Sequence, residues 1–328
     1  MHTQSPAPSA PSVSERTHAS IPVVSLRDYV TGSEDTRARF VQVFGDALAE
    51  FGFVSVKDHG IDPARIRDAY AQIARFFALP TPEKKKSFIE GSGGNRGYVA
   101  FGAEHAKNRK VGDLKEFFHV GRDLPALGPG GANAFPSAVP EFEPSTRTLF
   151  TDLERTAGTL LEALAIYFQA PTDTFTKMIA GGNSILRLIH YPPLKDGFIP
   201  GGVRAAEHED INLLTLLCES TSAGLEILTR DGRWLAVEAP PGHIVVDSGD
   251  MMQLITNGRL PSTTHRVVNP PSEAEDVVRY SMPFFVHPYP TCPLAPLPFC
   301  VSDEQPAKYD ATTAQGFLEK RLRELGLL

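Results

Sequence analysis

From Ser184 onward the chain breaks into short apolar segments of β type, each closed by Gly, Pro, Asn or Asp. They cover 185–191, 213–218, 225–229, 243–247, 251–256, 264–268 and 278–286. A lone short strand cannot bury a hydrophobic face, so such segments must pair with one another. Recurrent strands separated by turn residues predict a barrel or a double-sheet jelly roll. Asn257-Gly258 reads as a hairpin turn joining two of them. Trp234, after Asp231-Gly232-Arg233, reads as the anchor of another hairpin.

The first half has a different texture. A short strand over 21–26 precedes a helix over 33–51, whose apolar positions Phe40, Val41, Phe44, Ala47, Leu48 and Phe51 recur at helical spacing. A buried strand over 53–56 follows. A second helix over 63–79 starts with Asp62 as N-cap and Pro63 at its first position. Residues 91–144 are loop-rich around a strand at 113–120. A long helix over 145–169 carries Leu149, Leu153, Leu160, Leu161, Leu164 and Phe168, and a last helix spans 311–326. The fold class is therefore mainly β with flanking helices (α+β), around a double-stranded β-helix, or jelly-roll, core. Residues 1–20, rich in Ser, Pro and Ala, read as a disordered tail. Residues 21–328 read as a single domain: a helix-rich N-terminal part (21–183), the jelly-roll core (184–300) and a C-terminal helix (301–328).

The formal net charge is −7, and Lys84-Lys85-Lys86 is the sole basic cluster. This argues against a nucleic-acid partner. Cys218, Cys292 and Cys300 are odd in number and widely spaced, which suits a reducing, cytoplasmic setting and not a disulfide framework. No apolar run approaches the length of a membrane span. None of these features fixes the oligomeric state.

His208-Glu209-Asp210 and the distant His265 then stand out. Two imidazoles and one carboxylate can hold Fe(II) on one face and leave the opposite positions open. Residues two apart on a strand share a face, so His208 and Asp210 can point the same way; Asp210 can equally sit at the strand end. Zinc suits the same donors, but the chain has no His-Glu-x-x-His helix. Arg279 and Ser281 also share a strand face. A guanidinium and a hydroxyl there suit the distal carboxylate of 2-oxoglutarate, with Tyr191 able to add a second hydroxyl.

At these residues the chain resembles the isopenicillin N synthase-like family of Fe(II)/2-oxoglutarate-dependent oxygenases. The matching pieces are Ile21-Pro22-Val23-Val24, Phe51-Gly52-Phe53, His59-Gly60, Arg187, Tyr191-Pro192-Pro193, His208-Glu209-Asp210, Gly249-Asp250-Met251, Thr256-Asn257-Gly258, Thr264-His265-Arg266-Val267 and Arg279-Tyr280-Ser281. Ile189, His190 and Glu209 depart from the family pattern. The resemblance implies His208, Asp210 and His265 as iron ligands and catalytic centre, with Arg279, Ser281 and Tyr191 holding 2-oxoglutarate. It also implies O2 as oxidant and release of succinate and CO2 as a small molecule is hydroxylated, desaturated or cyclised. Two other readings stay open on the residues alone: an Fe(II) oxidase of the same fold that uses no 2-oxoglutarate, and a non-catalytic jelly-roll binding module.

Arg96, Tyr98, Phe101, Lys115, Phe117 and Phe285 are candidates for substrate contact. His119 reads as a satisfied strand histidine. His243 and Asp247 share a strand face but form a weak case for a second metal site. The glycine-rich run 91–97 lacks the spacing and the strand–turn–helix setting of a nucleotide loop.

Overall fold

The computed structural model describes residues 20–104, 111–197, 199–271 and 276–324. All but the last residue of the tail at 1–20 lies outside them. Thirteen strands build the site: β1 (Val23–Ser25), β2 (Phe53–Lys57), β3 (Gly97–Val99), β4 (Glu116–Gly121), β5 (Ile185–Tyr191), β6 (Ala205–His208), β7 (Leu214–Cys218), β8 (Leu225–Leu228), β9 (Trp234–Ala236), β10 (His243–Ser248), β11 (His265–Val267), β12 (Arg279–Ser281) and β13 (Pro283–Val286). A large sheet has the order β1-β2-β10-β7-β13-β5-β4-β3, with β12 also on β5; a small sheet has the order β6-β11-β8-β9. Nearly all pairings are antiparallel; β1 and β2 run parallel. This is the jelly-roll arrangement of two facing sheets. Strands β1 to β4 complete the large sheet, so the change of composition near residue 183 does not divide it.

The alternation of side chains along each strand sets the layers. Leu186 and Leu188 of β5, Leu214 and Leu216 of β7, Val246 of β10, and Phe284 and Val286 of β13 all point one way. They pack into a core closed by the helices Glu34–Phe51, Pro63–Phe77 and Phe142–Tyr167. Their neighbours, Arg187, Ile189 and Tyr191 on β5, Thr215 and Leu217 on β7, Asp247 on β10 and Phe285 on β13, point the other way. They face the small sheet across a cavity. One face of the large sheet is thus a scaffold and the other lines a site.

Two expectations are corrected. Residues 251–256 are not a strand: Asp250–Ile255 is a helix, with Met251, Met252, Leu254 and Ile255 buried at helical spacing. Asn257-Gly258 is not a hairpin turn. Both residues have positive φ (54° and 80°) and end that helix, while the Asn257 amide donates to the carbonyls of Cys300 and Pro306. The hairpin at Trp234 is present, as β8 and β9. The last helix is Ala314–Glu324, and residues beyond 324 lie outside the described set.

Gly52 joins scaffold to site. It caps the first long helix in the left-handed region (φ 69°), and its N–H donates to the Leu48 carbonyl. A Cβ there would sit 2.2 Å from Thr263 Oγ1, on the segment that leads into His265. Gly52→Ala is therefore expected to lower stability by about 2 kcal/mol through the backbone alone. The urea midpoint measures this, and an unchanged midpoint would contradict the close approach.

Candidate metal centre and active site

The register of the small sheet creates the centre. β11 runs antiparallel to β6 with His265 directly opposite His208. Residues paired in this way project from the same face, and the two imidazole centroids are 4.3 Å apart. Asp210 lies just past the end of β6, where its carboxylate folds back to within 3.8 Å of His265 Nε2. Of the two placements open from sequence, the strand-end position is the one found. One donor atom from each of the three residues lies within 4.8 Å of the others.

The surroundings orient these donors. The Nδ1 of His208 lies 2.7 Å from the Ala206 carbonyl and that of His265 3.1 Å from the Thr263 carbonyl. A carbonyl only accepts, so both Nδ1 atoms carry the proton and both Nε2 lone pairs face the centre. Burial, then the neighbouring His265, pushes His208 down to about 4, so it is neutral at pH 7. Asp210 has no Lys or Arg partner among the described residues. It accepts from the Thr215 hydroxyl, which in turn accepts from Asn212 Nδ2 at 2.9 Å. A buried carboxylate without a cation among the described residues, beside two imidazoles whose Nδ1 atoms are already held, is a donor set that fits a divalent metal. Gly249 keeps the turn tight, since a Cβ there would meet the Asn212 and Asp210 carbonyls at 2.5 and 2.8 Å.

Arg279, Ser281 and Tyr191 line the same inner cavity as the three donors. Arg279 pairs across strands with Tyr191, and its guanidinium lies 5.0 Å from that ring's centroid. Its Nε donates to the Ser222 carbonyl and one Nη to Ser220 Oγ, both at 3.0 Å; the other Nη is buried without a partner. Ile189 also lines this cavity, whereas His190 points to the helical side and holds Glu116 at 2.8 Å.

An outer cavity of about 190 Å³ opens from the donors. Of the six substrate-contact candidates, Lys115 and Phe285 line it. Phe117 packs beneath the Arg187 guanidinium, at 4.3 Å. Arg96 and Tyr98 are absent from its wall. Arg96 is fully buried and bridges the Asn95 and Arg122 carbonyls and Asn183, while the Tyr98 hydroxyl donates to Glu116. Phe101 sits half-buried in a turn outside it. Three more groups line it: Arg187, read from sequence only as a match to the family pattern; His119, read among the middle-segment residues as a satisfied strand histidine; and His287, which the sequence reading missed. Arg187 makes paired 3.0 Å bonds to Glu104. His119 donates from Nδ1 to the Gly94 carbonyl and accepts from Arg187 at Nε2, so the strand histidine is satisfied yet lines the site. His287 is 7% exposed, and its ring has no hydrogen-bond partner among the described residues. Its signal was the odd-numbered row that starts at Arg279 and Ser281. His243 and Asp247 do not meet: His243 bonds Ser55, and Asp247 lines the inner cavity.

Comparison with known proteins agrees with this geometry. Residues 21–142 match the family model described as non-haem dioxygenase in morphine synthesis N-terminal, and residues 182–288 match the 2OG-Fe(II) oxygenase superfamily. A 2-oxoglutarate-dependent dioxygenase of Aspergillus rugulosus is 30% identical over 92% of this chain and 98% of its own. Among solved structures, a 2OG-Fe(II) oxygenase family protein of Caulobacter crescentus is 42% identical, with a TM-score of 0.82 over 93% of this chain and 98% of that one. A full-length Neurospora crassa protein, solved in complex with alpha-KG, superposes with a TM-score of 0.84 at 26% identity, covering 92% and 95%.

Two expectations follow. Thr215→Val should weaken Fe(II) binding by about 10- to 100-fold, the usual cost of losing a group that orients a ligand, whereas His208→Ala, Asp210→Ala or His265→Ala should abolish it. Equilibrium titration with Fe(II) measures both, and wild-type affinity in Thr215→Val would contradict the orienting role. The second concerns pH. Burial holds His59, His119, His208 and His287 below the ordinary histidine range, the last two at about 4. The unfolded chain takes up protons near pH 6.5, before the folded protein does, so stability falls as pH drops from about 6.5 towards 4. The urea midpoint of the iron-free protein should fall over that range, with a shallower slope in His287→Asn.

Proposed function

The chain belongs to the 2OG-Fe(II) oxygenase superfamily, and on that premise we propose that His208, Asp210 and His265 hold the iron and that Arg279, Ser281 and Tyr191 hold 2-oxoglutarate. We propose further that the outer cavity takes a small, uncharged substrate rich in hydrogen-bonding groups. The reaction class is that of the family: a 2-oxoglutarate-dependent dioxygenase, which sets aside the oxidase and the non-catalytic module left open by the residues alone. Bound Fe(II) supplies the redox chemistry that couples conversion of 2-oxoglutarate and O2 to succinate and CO2 with oxidation of the substrate.

The chain's own residues bind, orient and exclude. His208 and His265 turn their Nε2 atoms to the centre, and Thr215 fixes the Asp210 carboxylate. Arg279 is suited to receive the distal carboxylate through its unpartnered Nη, with the Ser281 hydroxyl beside it on the same strand face. The helix Ala314–Glu324 closes the outer cavity with Leu318 and Leu322. It is pinned by Arg321, which bonds Asp250 at 2.5 Å and Glu324 at 2.8 Å. A closed apolar side keeps bulk water from the reacting centre.

The observation that carries the substrate class is that the cations of the outer wall are already paired. Arg187 is bonded to Glu104, Lys115 to Glu104 and Asp113, and Arg321 to Asp250 and Glu324. Burial opposes charge on Glu104, but Arg187 and Lys115 hold its carboxyl well below the usual carboxylate range. An anionic ligand would have to break such pairs. A neutral one can use what is left: the His287 ring, Asn95, and the apolar surfaces of Phe285, Ile185 and Leu318. Structures of the same Neurospora crassa protein with thymine and with 5-formyluracil, at 26% identity, support a ligand of this kind.

Succinate release tests this, with a panel that sets thymine and other uncharged heterocycles against amino acids and other ions. Stimulation confined to ionic compounds would overturn the substrate class. Arg279→Ala should weaken 2-oxoglutarate by about 100-fold or more, the scale of a lost charge-assisted pair, and leave Fe(II) affinity near wild type. Equal loss of both would point to a structural role instead.

A further inference from the structure

Two guanidiniums are buried together behind the distal end of the inner cavity, and neither has a carboxylate partner among the described residues. Arg279 is 1% exposed and Arg204 is 2% exposed. Arg204 precedes β6. Its backbone N–H is held by Asn269 Oδ1 at 3.0 Å, and one Nη donates to the Val277 carbonyl at 2.8 Å, two residues before Arg279. Its Nε, like the free Nη of Arg279, is buried without an acceptor. Arg204 stands outside the residues that line the cavity, but it is close enough to Arg279 and Tyr191 to feel both. Burial, and then the Arg279 charge, lower its pKa. Asp276 is the one carboxylate that acts in the opposite direction. It makes no ion pair with Arg204, and its oxygens are held by the Leu194 and Lys195 backbone N–H groups at 2.7 and 3.1 Å.

Like charges brought this close in a dry setting are unfavourable unless an anion joins them. The fold keeps them together all the same, through the Val277 carbonyl on one side and Ser220 and Ser222 on the other. We propose that Arg204 is a second positive centre for the distal carboxylate of 2-oxoglutarate, a positioning residue that acts beside and through Arg279. This rests on the reading that Arg279 is the anchor. One carboxylate between two guanidiniums leaves a smaller net charge than the empty pair has. Affinity should then depend on both, and it should do so only for 2-oxo acids that carry a distal carboxylate.

The test uses the full-length enzyme loaded with Fe(II) under anaerobic conditions, with binding followed by the visible absorption band of the 2-oxo acid chelate. Two probes are compared: 2-oxoglutarate, and 2-oxobutyrate, which has no distal carboxylate. Arg204→Gln keeps a donor for the Val277 carbonyl but removes the charge. It should raise the 2-oxoglutarate Kd by at least about tenfold, the scale of one well-placed charge, with Fe(II) and 2-oxobutyrate affinities unchanged. Arg204→Lys should recover most of the loss. Wild-type 2-oxoglutarate affinity in a folded Arg204→Gln protein overturns the proposal. So does an equal loss for both probes, which marks a structural role. If Arg204→Gln does not fold, Arg204→Lys decides: affinity close to wild type is required, and a loss as large as that of Arg279→Gln overturns it. Arg279→Gln separates the two readings. If it binds 2-oxoglutarate normally, the anchor assignment fails; if it does not, while Arg204→Gln binds normally, only the role of Arg204 fails.

Discussion

The pairing of His265 with His208 across β6 and β11 is the contact on which the site depends. Both strands are short, and the register shifts between His265 and Val267. Because side chains alternate, a slip of one residue would turn one imidazole out of the cavity. Neighbouring contacts hold the register. β8 pairs with the other edge of β11, placing Ile227 opposite His265, and the Phe53 ring meets the His265 ring edge-on at 5.5 Å. The Thr263 hydroxyl donates to the Phe51 carbonyl, so the segment entering β11 is tied to the end of the first long helix. The small sheet is thin, and its alignment is fixed largely by the larger sheet it faces.

The inner cavity is electrically polarised along its length. At one end Asp210 is a buried carboxylate with no cationic partner among the described residues. At the other, Arg279 is a buried guanidinium with no ion-pair partner among the described residues, and Arg204, outside the lining, is likewise buried without one. Folding these groups without counter-charges is unfavourable, and each end is relieved by a ligand of opposite sign. A divalent cation meets the first need. On the proposed assignment, a dicarboxylate held by the cation at one end and by Arg279 at the other would meet the second. The outer cavity is built on the opposite plan, with its cations matched inside the protein. Two adjoining spaces thus differ in how their cations are paired: Arg279 has no carboxylate partner among the described residues, whereas Arg187, Lys115 and Arg321 have theirs.

How much of this was legible in the sequence depends on which residues carry their meaning locally. His208, Arg279 and Ser281 were readable because spacing along a strand fixes which way a side chain points; Asp210 was readable only through its nearness to His208, since it lies past the strand end. The helix Glu34–Phe51 was readable because Phe40, Phe44 and Leu48 repeat at its period. Residues 251–256 were not, since a short run of Met, Leu and Ile satisfies helix and strand alike. Asn257-Gly258 misled for a related reason: positive φ is needed to end a helix as well as to turn a hairpin. Arg96 and Tyr98 have the polarity of substrate contacts, yet the fold uses them to satisfy buried carbonyls and a buried carboxylate. His287 and Arg204 matter because of bonds they lack, and a missing partner is a tertiary fact that no spacing records.

The run from Arg279 to His287 links these spaces mechanically. Arg279, Ser281, Pro283 and Phe285 face the inner cavity, and Phe285 and His287 face the outer one. Between them Met282, Phe284 and Val286 are fully buried in the helical core, with the Phe284 ring edge-on to Phe150 at 5.0 Å. The residues proposed to meet co-substrate and substrate therefore sit on one ribbon whose other side is clamped by packing. Protein cores resist small displacements, so the distance from anchor to outer wall is set by scaffold residues that touch neither ligand. The far wall is made of the segment around Asn95 and Glu104 and the helix that carries Leu318, Leu322 and Arg321. One wall of the outer cavity is therefore set by the clamped ribbon, and the other by elements far from it in the chain.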